Sequence, residues 1–378
     1  MTEKYHTREE EYWLALIRAP KVGPITFLRF IDYFGSPRNV FEADRTTWHE
    51  VGIKNELLDY LQNPDWSAVE KDLEWLSQAD NHLLTLEHPG YPPRLREIHD
   101  PPPILFVRGN YKLLTSTQVA LVGTREPSPS GESIAADLAK RLVGAGFTIT
   151  SGMALGIDAA SHRATLAEAG HTIAVLGTGV DRVYPRQHYE LAHEISEKGA
   201  LVSEFLLGMS AKAAHFPRRN RVISGLSLGT VVVEASLSSG ALITAHQAIE
   251  QGREVFAIPG SIYSPWSKGC HKLIKEGAKL IETADDIIEE LIAYISPLAH
   301  YSKTTTVPFV SASPVEKKEE LDADYLQLLA CLGTKPTSVD HLVEQSGLTA
   351  GMVSSMLLIL EMNGLVASQT GGLYVRTG

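Results

Sequence analysis

The sequence predicts an α/β fold: a doubly wound, mostly parallel sheet covered by helices on both faces, with a helical module before it and a winged-helix domain after it. Three observations lead there. Through the middle of the chain, near-continuous Val/Ile/Leu runs alternate with amphipathic stretches, the pattern of strands buried on both faces. Glycine-rich turns follow several of these runs, where strands of such a sheet hand over to helices. Residues 1–80 carry helical periodicity alone, whereas residues 321–378 read helix, helix, helix and hairpin.

Taken in order, "REEEYWLALIRAP" and "GPITFLRFIDYFGS" have apolar residues at helical spacing and are separated by "KVGP". Pro24 suits a first helical turn and Gly35 a helix end. Helix, glycine-containing turn and helix give residues 1–80 the outline of a SAM-like or helix-hairpin-helix module. Over residues 81–295 the spacing predicts strands at "ILFVRG", "QVALVG", "FTITSG", "HTIAVLG", "ALVSEF", "GTVVVEA" and "EVFAIPG". Helices such as "GESIAADLAKRLVGAG" and "SGALITAHQAIEQG" lie between them. Strand and helix in this order make an extended Rossmann-like sheet. Residues 296–320 are rich in Ser, Thr, Pro and Lys without periodicity and read as a linker. The remaining residues, 321–378, have the helix order of a winged helix, with Gly371 and Gly372 reversing the two strands of the wing.

A chain of 378 residues with 44% hydrophobic content can bury a sizeable core. No apolar run reaches the length of a membrane span, and the charged N-terminus lacks a signal core, so a cytoplasmic protein is expected. Cys270 and Cys331 are too few for a disulfide framework or a zinc site. The fourteen histidines show no metal-ligand spacing; His188 and His193, for instance, do not share a helical face. Neither a metal nor a cofactor is expected. The net charge of −11 argues against coating duplex DNA by charge alone. Residues 115–260, however, hold 12 basic and 13 acidic side chains, so nearly all the excess negative charge lies elsewhere and the middle of the chain repels a polyanion least.

Within that region residues 211–225 contain no acid but carry Lys212, Arg218, Arg219, Asn220 and Arg221, with Phe216 among them. Read as a helix, the segment turns Val222, Ile223 and Leu226 to a core and offers guanidinium forks to phosphate; the plainer alternative is a solvated basic face. Four turns supply further anion-binding elements. Gly123, Thr124 and Arg125 leave a strand, and the first-turn N–H groups of the helix entered through Ser128 to Gly131 are read as free. Ser151 and Gly152 with Gly156, Gly177 with Gly179, and Ser239 with Gly240 opening another helix repeat the device. Strand carboxyl ends share one edge of the sheet, so these turns and the basic helix converge on one crevice. "GTGVDR" lacks the third glycine of a dinucleotide fingerprint, and "VGTREPS" is not a Walker loop. Ser227 sits in a GxSxG string with a helix before it and a strand after it, the reverse of a nucleophile elbow. Glu234, at a strand end, is either a general acid or base or an acceptor for turn N–H groups.

Together "VGTREPSPSG", "SGMALGIDAASHRA", "VLGTGVDRVYP", "FPRRNRVISGLS" and "VVVEASLSSGALITAHQAIEQGREVFAIPGS" resemble, in order, the motifs of the DNA processing protein A (DprA/Smf) family. The resemblance implies a single-stranded DNA-binding homodimer, not an enzyme, that loads the RecA recombinase onto incoming strands during natural transformation. By motif, Gly123, Thr124 and Arg125 form the phosphate turn, Ser151 and Gly152 its neighbour, and Arg219, Asn220 and Arg221 the family's RNR element, with Phe216 placed to stack on a base and Arg218 at a variable position. Ser130 and His188 stand where the family often has Tyr and Asn. The alternative function is nucleoside monophosphate hydrolysis on the related lysine-decarboxylase-like (LOG) fold, of which "GTVVVEA" is a partial match. The winged helix, with only Lys335 and Arg376 as cations, is expected to contact protein or the same chain.

Overall fold

A computed structural model describes residues 9–299 and, beyond them, 327–329, 331–332, 337–349, 352–353, 356–357, 360, 366–369 and 373–376. The chain divides into two compact units, Met1–Lys303 and Thr304–Gly378.

The first unit opens with helices α1 (Glu9–Arg18), α2 (Pro24–Phe34), α3 (Pro37–Glu42), α4 (Arg45–Glu50), α5 (Asn55–Gln62) and α6 (Trp66–Leu76). Short polar side chains start three of them: Ser36, Asp44 and Asp65 accept the main-chain N–H of Asn39, Thr47 and Ala68. Trp13 stacks on Phe27 at 5.1 Å, and Arg18 forks onto the buried Asp72 carboxylate. These helices do not close a core alone. Trp75 meets Phe106 edge-on at 5.9 Å, and the cluster around Trp13, Phe27 and Phe30 runs on into Met153, Leu166 and Leu191. Residues 1–80 and 81–295, separate in the sequence reading, therefore share one hydrophobic body. Full burial of each such side chain contributes about 1.5–3 kcal/mol.

The sheet is built from β1 (Asn81–Thr85), β2 (Ile104–Gly109), β3 (Gln118–Val122), β4 (Thr148–Ser151), β5 (Thr172–Val175), β6 (Ala200–Ser203), β7 (Gly229–Val232), β8 (Glu254–Ala257) and β9 (Lys279–Leu280). All seven strands expected from the sequence are present, and β1 and β9 are added at the edges. The order is β1-β2-β6-β5-β4-β3-β7-β8-β9, parallel from β6 to β9, with β1 and β2 antiparallel at one side.

Between the strands run α7 (Pro93–Arg96), α8 (Pro129–Gly144), α9 (Ile157–Ala167), α10 (Tyr189–Lys198), α11 (His215–Leu226), α12 (Gly240–Glu250) and α13 (Lys268–Lys275), followed by α14 (Ala284–Ala299). Successive residues of β3 alternate faces: Ala120 and Val122 pack with Leu95, Val222, Leu226 and Ala245, and Val119 and Leu121 with Leu138, Leu142, Ile287 and Leu291. Helix α14 continues to Ala299, so the start of the segment read as linker is helical; 300–320 lie outside the described residues.

In the second unit α15 (Val339–Ser346) is capped by Ser338 and ended by Gly347 at φ 70°. Strands β10 (Thr337–Ser338), β11 (Val366–Gln369) and β12 (Leu373–Arg376) form an antiparallel sheet in the order β10-β12-β11 over Leu328, Leu342, Val353, Leu357 and Leu360. The expected Gly371-Gly372 reversal lies outside the described residues. Among the described residues no helix is long and apolar enough to cross a membrane, no acid, His or Cys cluster could hold a metal ion, and both cysteines are unpaired.

Candidate nucleic-acid interface

Strand β3 is the topological switch: β4, β5 and β6 extend the sheet on one side, and β7, β8 and β9 on the other. The loops leaving β3 and β7 diverge there, opening a crevice at the strand carboxyl ends. It is a cavity of about 560 Å³. Gly123, Thr124 and Arg125 line it from the β3 turn, Ser239 and Gly240 from the start of α12, and Phe216, Arg219 and Asn220 from α11, which carries the chain back across the sheet. The predicted convergence of turns and basic helix is thus present in eight of the thirteen sequence candidates.

The charges within it are not equivalent. Arg125 is exposed, and its guanidinium lies over the Phe216 ring at 5.5 Å from the centroid. Arg219, 5% exposed, is engaged from within. Its Nη1 donates to the carbonyls of Gly152 and Val175, and its Nε donates to Asn220 Oδ1 at 3.0 Å. Asn220 in turn donates to the Gly240 carbonyl at 3.4 Å. Arg219 therefore ties the carboxyl ends of β4 and β5 to the start of α12. Desolvation pulls its pKa down to about 10, with Asp158 opposing the drop, so the guanidinium stays charged at neutral pH.

Two glycines make room for this arrangement. A Cβ on Gly152 would stand 2.6 Å from Arg219 Nη1, and one on Gly177 would stand 3.0 Å from the Phe216 ring. Gly177 thus sits beneath the stacking aromatic and not on the crevice wall. Ser151 is buried, its hydroxyl donating to the Leu121 carbonyl at 2.6 Å.

Two of the helix N-termini read as free are filled by the protein's own carboxylates. Glu234 accepts from the Ser128 N–H at 2.9 Å and the Ser128 hydroxyl at 2.6 Å, directly against Gly131 at the start of α8. Asp158 accepts from the N–H groups of Gly152 and Ala154, both at 3.1 Å, in the turn entering α9. A carboxylate already occupies each, which corrects the expectation of open N–H groups; the starts of α9, through Asp158, and of α12, through Ser239 and Gly240, both line the crevice.

The basic segment is divided in the same way. Arg218 and Arg221 converge on the buried Glu204 carboxylate at 2.9 and 2.5 Å, and Arg221 also reaches Asp100 at 3.2 Å. Arg218 additionally lies over Phe205 at 5.3 Å. Neither arginine lines the crevice, and Lys212 is exposed outside its lining. These partners were not legible from the basic segment itself, because Glu204 lies outside the acid-free run. Ser227 is fully buried, its hydroxyl donating to the Ile223 carbonyl at 2.9 Å. His188 Nδ1–H donates to the Met153 carbonyl at 2.9 Å, supporting a residue at φ 61° and remaining apart from the crevice.

Sequence reasoning missed Tyr184, which is 48% exposed with its ring 5.7 Å from Phe216. The signal was there in "DRVYPRQHY", where Tyr184 and Tyr189 interleave with the exposed Arg182 and Arg186. An aromatic pair flanked by cations at the mouth of the crevice suits a chain of stacked bases and phosphates.

Comparison with known proteins accords with this geometry. A model of the DNA recombination-mediator protein A family matches residues 82–292, a DprA winged helix domain matches 312–372, and a DprA-like N-terminal HHH domain matches 7–43. Protein Smf of Escherichia coli is 38% identical over 369 residues, covering 97% of this chain and 96% of that one. DNA processing protein DprA of Bacillus subtilis is 46% identical over 242 residues, 64% of this chain and 80% of its own. The crystal structure of DNA processing protein A from Streptococcus pneumoniae superposes with a TM-score of 0.66 at 35% identity, covering 74% of this chain and 97% of that chain. A structure of DNA processing protein A from Helicobacter pylori, described for its single-stranded DNA binding mode, has a TM-score of 0.51 at 29% identity over 56% of this chain and 97% of its own.

Proposed function

This chain belongs to the DNA recombination-mediator protein A (DprA/Smf) family, and from that premise we propose that it binds single-stranded DNA in the switch-point crevice without reading base identity. The observation that carries this reading is the exposed Arg125 guanidinium over Phe216, beside Tyr184 and above a floor whose other charges are internally paired. Arg125 supplies the phosphate contact, the two rings supply stacking surfaces, and the start of α12 at Ser239 and Gly240 supplies N–H groups for a second phosphate. Gly123 and Thr124 let the backbone approach closely. Ser151, Gly152, Asn220, Arg219, Arg218 and Arg221 act mainly by holding the crevice in shape, and Lys212 contributes long-range attraction.

In the cell this binding serves to load the RecA recombinase onto incoming strands during natural transformation, with the protein acting as a cytoplasmic homodimer. A binding role in place of turnover is supported by Glu234, whose carboxylate is committed to Ser128, and by the burial of Ser227. The test is a salt-titrated anisotropy measurement with a single-stranded oligonucleotide, the same sequence as duplex, and mononucleotides. Single strands should bind tightest, with log affinity falling linearly against log salt at about −0.7 per phosphate contacted. Preference for mononucleotides, or a strong dependence on base sequence at fixed salt, would overturn the reading.

A further inference from the structure

A second cleft lies away from this crevice, where α1 and α6 meet the edge strand β1. It is a cavity of about 590 Å³, walled by Leu73, Leu76 and the successive residues of β1, with His82, His88 and Tyr111 at one end and Glu10 at its rim. The three rings form a cluster: His82 stands 4.7 Å and His88 5.9 Å from Tyr111, centroid to centroid, the latter edge-on. All three are half-buried, so ring surface remains open to the cleft. His88 Nδ1 accepts the Gly90 N–H at 2.9 Å, which fixes the ring against the turn.

The surroundings are acidic. Residues 9–115 hold 17 acidic and 11 basic side chains, and Glu9, Glu10 and Glu87 lie on the segments framing the cleft. Nucleotides and other polyanions are disfavoured there. Aromatic faces in a mixed cleft that four leucines and the Glu10 carboxylate also line recognise a cation on an apolar stem. Among the described residues strand β1 has a ladder partner on one side, β2, so a strand edge runs along the cleft.

We propose that this cleft is a docking site for an extended basic polypeptide segment of a partner protein, one arginine or lysine side chain entering the ring cluster while its backbone lies along β1. The occupant is a protein, and the site is independent of the DNA crevice.

The test titrates the full chain with an acetylated heptapeptide of alternating threonine and arginine, a matched peptide with glutamine for arginine, and spermidine. The arginine peptide should bind saturably and at least tenfold more tightly than either control. Glu10→Gln, on an exposed side chain, and Tyr111→Leu should each weaken it fivefold or more, whereas Tyr111→Phe should retain it; single-stranded DNA affinity and thermal melting should be unchanged in Glu10→Gln. Absence of saturable peptide binding, equal binding of the glutamine peptide or of spermidine, or full retention in both Glu10→Gln and Tyr111→Leu would overturn the proposal.

Discussion

The guanidinium of Arg125 lies 5.5 Å from the centroid of the Phe216 ring, and that of Arg219 lies 5.9 Å from the same centroid. One aromatic thus joins an exposed cation to a buried one. Because Arg219 has spent its Nη1 and Nε donors on carbonyls and Asn220, while Arg125 donates to no group among the described residues, the two arginines should respond oppositely to deletion.

Arg219→Ala should act first on the fold. It leaves the Gly152 and Val175 carbonyls and the Asn220 side chain without a charged donor and opens a void at the ends of β4 and β5. Removing one member of such a buried charged network costs about 3 kcal/mol. Urea denaturation should show a lowered midpoint; an unaltered midpoint would show that the guanidinium is not the staple described.

Gly177→Ala should leave the melting temperature nearly unchanged while reducing single-strand affinity several-fold. The added methyl would press on Phe216, an aromatic side chain that can tilt away, but only by leaving its stacking position. Gly152→Ala, which meets the less mobile Arg219, should instead lower stability. Anisotropy and thermal melts of the two variants separate these outcomes.

Glu234→Gln removes the negative charge from the start of α8 but keeps one acceptor for Ser128, so a loss of about 1 kcal/mol is expected. Neither the wild type nor this variant should release free base from nucleoside monophosphates when products are separated by chromatography. Release by the wild type alone would make Glu234 the acid or base of a hydrolase.

His162 gives a pH dependence with a definite sign. Thr172 donates its one hydroxyl proton to the Ile149 carbonyl at 2.8 Å, so His162 Nδ1–H must donate to Thr172 Oγ1 at 2.6 Å, and the buried Nε2 has no partner among the described residues. Burial, reinforced by His188, Arg219 and Arg163, lowers its pKa from 6.5 to about 3. The folded state therefore binds fewer protons than the unfolded state between these values. Stability should fall as pH drops below about 6.5, by up to about 1.4 kcal/mol per pH unit from this group. Urea midpoints of wild type and His162→Gln between pH 7 and 5 measure it; equal slopes in both would exclude His162 as the source.

How far the sequence could be read follows from where the relevant partners lie. The seven strands were legible because burial on both faces forces continuous apolar runs; β1 and β9 were not, since "NHLLT" and "KL" at sheet edges carry no such demand. The crevice was legible because glycine turns and a basic helix must meet at the strand carboxyl ends. The roles of its arginines and turns were hidden, because they depend on distant groups: Arg219 on Gly152, 67 residues away, and the Ser128 turn on Glu234, 106 residues away. Charge density marked the segment, but which cations face outward is decided by tertiary pairing with Glu204 and with the carbonyls of Gly152 and Val175.

Whether Arg125 is the crevice's open phosphate contact is decided by the salt dependence of single-stranded DNA binding in Arg125→Ala. The side chain is exposed, so its removal should leave melting unchanged. Affinity should weaken by about 1–3 kcal/mol, and the slope of log affinity against log salt should decrease in magnitude by about 0.7, one phosphate contact. An unchanged affinity and slope in a folded Arg125→Ala protein would show that phosphate is held elsewhere.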